Sequence, residues 1–141
     1  MQLKVVNCPD RDFKPYVERA ALFYAKQLIP DGRLRNRCFT KIRFDAKIEE
    51  QGYCSVEEYN SRNQPREFLI EIHPGIGARN ILSTLAHEMV HARQFLRRHL
   101  VQKRDGKLYW KGVQSDNEEW EDEAYVLEER YYKEYVNERT E

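Results

Sequence analysis

The segment from Ala78 to Arg98 constrains the fold of this chain more than any other stretch. Its apolar residues recur at intervals of three and four, the spacing of one helix face. They are Ile81, Leu82, Leu85, Met89 and Leu96. The segment therefore predicts a long α-helix whose apolar face must be covered by other elements of the chain.

Two of the four histidines of the chain lie inside this predicted helix, in L-A-H-E-M-V-H (residues 85–91). Because positions i and i+4 stand one above the other on a helix, His87 and His91 can present two imidazole nitrogens to one metal ion. Glu88 lies about 100° farther round the helix, where it can act on an attacking water without binding the metal. A lone histidine on an apolar face is more often a core residue, but a hydrolytic zinc site needs this triad: two neutral ligands and a base. The sequence therefore predicts Zn²⁺ bound by His87 and His91, with Glu88 as the general base.

A catalytic zinc site usually has three protein ligands and one open position, so another segment must supply the third. His73 and His99 are candidates by residue type. However, His73 ends a predicted strand, and His99 follows the metal-binding turns, where the chain should diverge from the metal. The richest remaining supply is the acidic stretch E-E-W-E-D-E, residues 118–123.

Carboxylates also favour a helix N-terminus because of the helix dipole, which is sufficient to account for Glu118 and Glu119. Glu121 and Glu123 border the apolar stripe of the predicted last helix on opposite sides, and a helical wheel separates them only slightly. Glu128 lies two turns farther along and is predicted to be a supporting carboxylate. The stripe consists of Trp120, Ala124, Leu127, Tyr131 and Tyr135.

The remaining elements indicate an α+β fold in a single domain, residues 1–141, with a small, mostly antiparallel sheet. Alternating or short apolar runs predict strands over residues 2–6, 38–45, 52–56 and 67–73. An N-terminal helix starts near Pro15 and stops at Pro30, and Asp105-Gly106 predicts a hairpin. The capping residues 115–117 predict the start of the last helix, giving the order β-α-β-β-β-α-hairpin-α.

Composition bears on the partners of the protein and on its cellular compartment. Its 24 basic and 24 acidic residues cancel, so net charge does not indicate a nucleic-acid or membrane partner. The three cysteines, Cys8, Cys38 and Cys54, contain no C-x-x-C pair and suit a reducing compartment. Without a secretory pattern or an apolar run of membrane-spanning length, the sequence predicts a soluble cytoplasmic protein with no membrane partner.

The active-helix stretch L-S-T-L-A-H-E-M-V-H-A-R-Q (82–94), with F-L-I-E-I-H-P (68–74) before it and W-E-D-E-A-Y (120–125) after it, resembles the SprT-like family of zinc metalloproteases. The W-E-x-E-A-Y stretch looks like that of compact phage and bacterial relatives with a glutamate third ligand, the gluzincin type. The resemblance implies a zincin-like fold, His87 and His91 as ligands and Glu88 as base, and it favours Glu121 over Glu123 as third ligand. It also implies a protein or peptide substrate and the cytoplasm of a bacterial or phage-infected cell.

Two departures from the family bear on function. The longer members that process DNA–protein crosslinks carry a histidine as third ligand, and many carry a Cys-rich zinc ribbon. This chain resembles neither pattern, which argues against a role in DNA repair.

Two alternative functions stay open. One is a DNA-associated binding module with a structural or vestigial zinc, for which the support is a set of cations near the end of the long helix and the hairpin. These are Arg93, Arg97, Arg98, Lys103, Arg104, Lys107 and Lys111. The other is a zinc hydrolase with a non-peptide substrate. For the peptidase, Tyr125 is a candidate donor to a developing oxyanion, and an edge of the 52–73 hairpin can hold an extended substrate.

Overall fold

A computed structural model describes residues 1–114 and 118–140, with only the backbone of the last two. Its strands are β1 (Gln2–Val6), β2 (Phe39–Phe44), β3 (Gly52–Tyr59), β4 (Pro65–Ile72), β5 (Leu100–Gln102), β6 (Leu108–Trp110) and β7 (Val113–Gln114). Its α-helices are α1 (Lys14–Leu28), α2 (Gly32–Asn36), α3 (Ala78–Leu96) and α4 (Glu119–Thr140). The α+β class and the order of the main elements are confirmed, while α2, β7 and a 3₁₀ turn at Pro74–Ile76 are additions.

The main sheet is mixed, with strand order β1-β2-β4-β3, so the prediction of a mostly antiparallel sheet is wrong. β1 pairs with β2 and β2 with β4 in parallel, and only β3 and β4 are antiparallel. The reason is the connectivity, because α1 carries the chain from β1 to the start of a parallel neighbour. β4 then lies between β2 and β3, so β3 does not pair with β2 although it follows β2 in the sequence. The hairpin prediction for residues 52–73 is confirmed, and it leaves β3 as an edge strand.

The three long helices share one core with the sheet. The inward residues of β2 (Thr40, Ile42 and Phe44) are buried, as their alternation predicts. On α1, Tyr24 is fully buried and donates its hydroxyl hydrogen to the carbonyl of Leu82 on α3, at 3.0 Å. This bond ties the N-terminal helix to the helix that carries the histidines.

α3 is the central element of the core. It packs against α1 and α4 as well as against β3 and β4, so even its polar residues between Thr84 and Gln94 are largely buried. It ends at Leu96, slightly before the predicted Arg98. His87 and His91 are therefore presented by a helix that is packed on several sides.

The other predicted elements are placed as follows. The predicted hairpin forms between β5 and β6, with Gly106 at φ +80° in its turn. The apolar stripe of α4 is confirmed, since Trp120, Ala124, Tyr131 and Tyr135 are buried. The predicted capping residues 115–117 lie outside the described residues. No described helix is both long enough and apolar enough to cross a bilayer.

Candidate metal centre

His87 and His91 stand one turn apart on α3 and line the same cavity. Their Nε2 atoms are 3.2 Å apart, and each residue is only 8% exposed. The helix repeat brings the two rings together, and the packing around α3 limits how far they can swing away. Two nitrogen donors are thus held on one side of a rigid element.

Glu121 reaches this pair from the first turn of α4. Its Oε1 atom lies 3.3 Å from Nε2 of His87 and is in direct contact with Nε2 of His91. One ligand atom from each of the three residues lies within 4.8 Å of the other two. Two helices therefore bring two nitrogens and one oxygen to a single point.

The other ring nitrogen of His87, Nδ1, is held by Glu128, which also lies on α4. Nδ1 of His87 lies 3.0 Å from Oε1 of Glu128, whose Oε2 accepts a hydrogen bond from the hydroxyl of Ser83 at 2.8 Å. Because a carboxylate only accepts hydrogen bonds, Nδ1 carries the ring hydrogen. Nε2, which faces Glu121, is then the ring nitrogen that a metal ion would bind in place of a proton.

The second ring nitrogen of His91 is held by a neutral group, the buried amide of Gln94. The amide nitrogen donates to the backbone oxygen of Trp120 at 3.0 Å, and the amide oxygen lies 2.8 Å from Nδ1 of His91. Since a backbone carbonyl can only accept, this contact fixes which end of the amide faces the ring. Nδ1 of His91 therefore carries a hydrogen, and Nε2, which faces Glu121, is the nitrogen that a metal ion would bind.

Glu88 lies beside the three-residue group without being part of it. It is 5% exposed and faces the start of β3, where Gly52 allows a close approach. A β-carbon at position 52 would be 2.4 Å from Cγ2 of Thr84 and 3.0 Å from Oε2 of Glu88. Only glycine fits there, so the first residue of β3 sets how near the edge strand comes to the predicted base.

The charges in the centre depend on one another. Burial would lower the pKa of His87, but its hydrogen bonds with Glu121 and Glu128 outweigh burial and raise that pKa to about 10. Hydrogen bonds from His87 and His91 hold the pKa of Glu121 well below its ordinary value. Burial raises the pKa of Glu88 to about 7, although both histidines oppose the shift. A carboxyl group with a pKa near neutrality can both accept and return a proton, as a general base must.

The cavity in front of these residues has a volume of about 460 Å³. Its lining includes the metal-ligand group and Glu88. It also includes the apolar side chains of Phe95, Leu100, Leu108 and Trp120. Tyr125 stands at the mouth, 61% exposed, with its ring centroid 4.7 Å from that of His87. The tyrosine predicted as a donor is therefore at the site and is not a core residue.

The other candidate ligands lie apart from the centre. Glu123 accepts a hydrogen bond from the amide of Gln94 at 3.2 Å and so belongs to the support of His91. His73 uses Nδ1 to accept a hydrogen bond from a backbone amide in the following turn. His99 packs edge-on against the tryptophan ring of β6. Glu118 lines the cavity but is not part of the three-residue group.

Some of the cations considered for DNA binding make contacts within the chain. Arg93 pairs with Glu123 at 3.5 Å. The ammonium groups of Lys103 and Lys111 lie over aromatic rings of β6, at 4.0 and 5.2 Å from the ring centroids. These contacts account for part of the cluster without nucleic acid.

Sequence patterns alone did not predict three supporting residues: Gln94, Ser83 and Gly52. The sequence does carry a signal for the first two, because they lie at i+3 from His91 and i−4 from His87 on a helix face that is otherwise largely apolar. For Gly52 the signal was weaker, since a glycine at the start of a strand has several explanations.

Comparisons with protein-family models, with curated proteins and with solved structures give no significant match to this chain. The function is therefore inferred from the chemistry of the site.

Glu128 provides a test of the supporting contacts. We expect Glu128→Ala to weaken zinc binding by about 10- to 100-fold, the usual effect of removing the carboxylate behind a histidine ligand. Glu129→Ala is the matched control, because Glu129 is exposed and pairs with Lys133 on the surface of the same helix. Competition titration with a zinc-binding dye measures both variants. Equal affinities would contradict the assigned role of Glu128.

Proposed function

We propose that this protein is a zinc-dependent metallopeptidase that hydrolyses peptide bonds, of the compact, gluzincin-type SprT-like kind. The observation that carries the proposal is the convergence of His87, His91 and Glu121 at one point, with Glu88 buried beside them. The resemblance of the helix stretch 82–94 to that family supports the same conclusion. So does the edge strand β3 beside the site, the arrangement of a zincin-like fold.

The donor set fits zinc. Two imidazole nitrogens and one carboxylate oxygen form the ligand set of many hydrolytic zinc sites. Calcium and magnesium prefer oxygen ligands throughout, and two nitrogen donors with fixed tautomers disfavour them. His87, His91 and Glu121 would hold the ion, while Glu128 and Gln94 would keep both rings oriented.

When bound, zinc supplies Lewis-acid polarisation of a carbonyl and lowers the pKa of a water. The chain itself supplies the proton transfer. A carboxylate oxygen of Glu88 accepts a proton from the attacking water and returns it to the nitrogen of the leaving amine. Burial raises the pKa of this carboxyl above its ordinary value, which favours uptake of a proton by Glu88 during the reaction.

The surroundings suit a peptide substrate. The free edge of β3 starts at Gly52, and its first residues line the cavity together with Glu88. An extended peptide can add to that edge through backbone hydrogen bonds. The hydroxyl of Tyr125, at the mouth of the cavity, can donate to the oxygen that gains charge during the reaction.

We also propose a cytoplasmic location. All three cysteines, Cys8, Cys38 and Cys54, are free thiols, and persistent free thiols are typical of reducing compartments.

Metal removal tests the proposed activity. We expect zinc-loaded protein to cleave an unfolded casein substrate. A chelator should lower the rate by at least about 100-fold, and one equivalent of zinc should restore it, because both water activation and carbonyl polarisation need the ion. Gel electrophoresis with mass spectrometry of the fragments measures cleavage. Hydrolysis of an ester substrate with no peptide cleavage would favour the non-peptide hydrolase instead.

A further inference from the structure

A second cavity lies next to the metal centre, between the β3–β4 turn and the β5–β6 hairpin. Its volume is about 680 Å³, larger than the 460 Å³ of the catalytic cavity. We call it the basic groove, because Arg98, Lys103 and Arg104 line it together with the aromatic ring of Tyr59. The floor is apolar and includes Phe95 and Leu100.

The basic groove adjoins the catalytic cavity. Phe95 and Leu100 line both, so the same two side chains form the wall that they share. β3 connects them as well, since it starts at Gly52 beside Glu88 and ends at Tyr59 in the groove. A chain lying along the free edge of β3 would therefore pass from one cavity to the other.

The charge of the groove is not balanced from within. Among residues 1–114 and 118–138, none of Arg98, Lys103 and Arg104 has an ion-pair partner. One carboxylate, Asp105, also lines the groove and accepts a hydrogen bond from the backbone amide of Lys107 at 2.9 Å. The lining thus carries three cations against one carboxylate, beside apolar side chains, which favours an anionic ligand with apolar parts.

Arg98 occupies an unusual position for a long side chain. Its φ of +61° places it in the left-handed region, just after the C-terminus of α3, where glycine is the usual residue. Its guanidinium nevertheless reaches across and donates to the backbone oxygen of Asn63 at 2.9 Å. An arginine therefore stands in an unfavourable backbone conformation, and its side chain places a cation between the end of α3 and the β3–β4 turn.

The acidic residues of β3 do not cancel this charge. Glu57 and Glu58 line a different depression, together with Lys41 and Arg43 of β2. Those β2 residues alternate with Ile42, which is buried under the helices, so they belong to the outer face of the sheet. The groove lies on the helix side.

We infer that the basic groove binds acidic residues of the polypeptide substrate, on the N-terminal side of the bond that is cleaved. This inference rests on the proposed function. The direction follows from β3, because antiparallel pairing is the more stable arrangement and would place the N-terminal arm of the substrate toward Tyr59. An extended chain covers the distance from the Gly52 end to Tyr59 in roughly five to seven residues.

A peptide fits the groove better than nucleic acid does. Three cations are few beside the roughly six to ten phosphate contacts of a typical DNA-binding surface. The floor is apolar, and the groove opens onto a strand edge that pairs with peptide backbone.

Binding can be measured without cleavage by using zinc-loaded Glu88→Gln protein and fluorescein-labelled peptides. The first peptide carries an acidic tract followed by an uncharged, apolar-containing arm. The second carries the tract at the other end, and the third has asparagine and glutamine in place of the acids. We expect the first to bind at least about ten-fold more tightly than the third, the effect of charge-assisted hydrogen bonds.

Variants of the groove residues test whether the groove causes the preference for the acidic peptide. Arg98→Gly and the pair Lys103→Gln with Arg104→Gln should each remove most of it, and glycine at position 98 should leave the melting temperature unchanged or higher. Lys107→Gln is the matched control on the same hairpin, because Lys107 does not line the groove, and it should keep the preference.

Equal binding of the three peptides would overturn the inference, as would tighter binding of the peptide with the acidic tract at its C-terminal end. Tighter binding of single-stranded DNA through the same residues would overturn the assignment to a peptide. Because these readouts do not need hydrolysis, they stand apart from the test of peptidase activity. If binding depended on the acidic residues of the peptide but no peptide were cleaved, the groove would keep its role in peptide binding and the proposed peptidase function would be wrong.

Discussion

Replacing Glu88 by glutamine is expected to leave zinc bound and to lower the rate of peptide hydrolysis by about 10²- to 10⁴-fold, the usual contribution of a general base. Glu88 lies outside the ligand group but is buried next to it. Glutamine has nearly the same shape and cannot accept the proton. Because it also removes an ionisable group whose pKa burial has raised, the melting temperature should not fall.

The control for this variant is Glu118→Gln, which alters an exposed carboxylate that lines the same cavity. It should retain most of the activity. The two readouts are initial cleavage rate and zinc content of the same preparation. If Glu88→Gln cleaved at the wild-type rate, Glu88 would have no part in the mechanism, and if it lost zinc, Glu88 would be a ligand.

Replacing Glu121 by alanine is expected to weaken zinc binding by on the order of 100-fold or more, because it removes one of three proposed protein ligands. Glu123→Ala is the matched control, two residues away on the same helix. It loses only its contacts with Gln94 and Arg93, so zinc affinity should change by no more than about 10-fold, the lower end for residues that support a ligand. Zinc competition titrations on both variants measure the difference.

A reversal of these two effects would show that Glu123 is the ligand. A crystal structure with zinc bound by Glu123, His73 or His99 would show that this residue, and not Glu121, is the third ligand. Either result would leave the prediction for His87 and His91 unchanged, because that pair depends on the helix repeat of α3 and not on the register of α4.

Local periodicity predicts the helices well and the sheet only in part. The residues of α3 and the stripe of α4 that includes Trp120 and Tyr131 reveal their buried faces through spacing alone. The order of the strands depends on which edges the connections reach. Nothing in the alternation of β2 or β4 encodes that β4 lies between β2 and β3, so the parallel pairings could not be predicted.

The site shows the same division. His87, Glu88 and His91 follow from a spacing within one helix. Glu121 comes from another helix, and its selection over Glu123 required the family resemblance, because the wheel nearly equates the two. Gln94 acts through a backbone carbonyl of α4, a contact made only by tertiary packing. The basic groove likewise combines α3, β3 and the hairpin, which are far apart in the sequence.

The most direct test of the central claim is the zinc content of purified protein after loading with excess zinc and desalting, measured by inductively coupled plasma mass spectrometry. Wild type should retain about one zinc per chain. His87→Ala and His91→Ala should each retain almost none, whereas His73→Ala and His99→Ala should retain as much as wild type, because their rings are engaged elsewhere. Wild-type protein that holds no zinc after this treatment would contradict the assignment of a zinc centre to this fold.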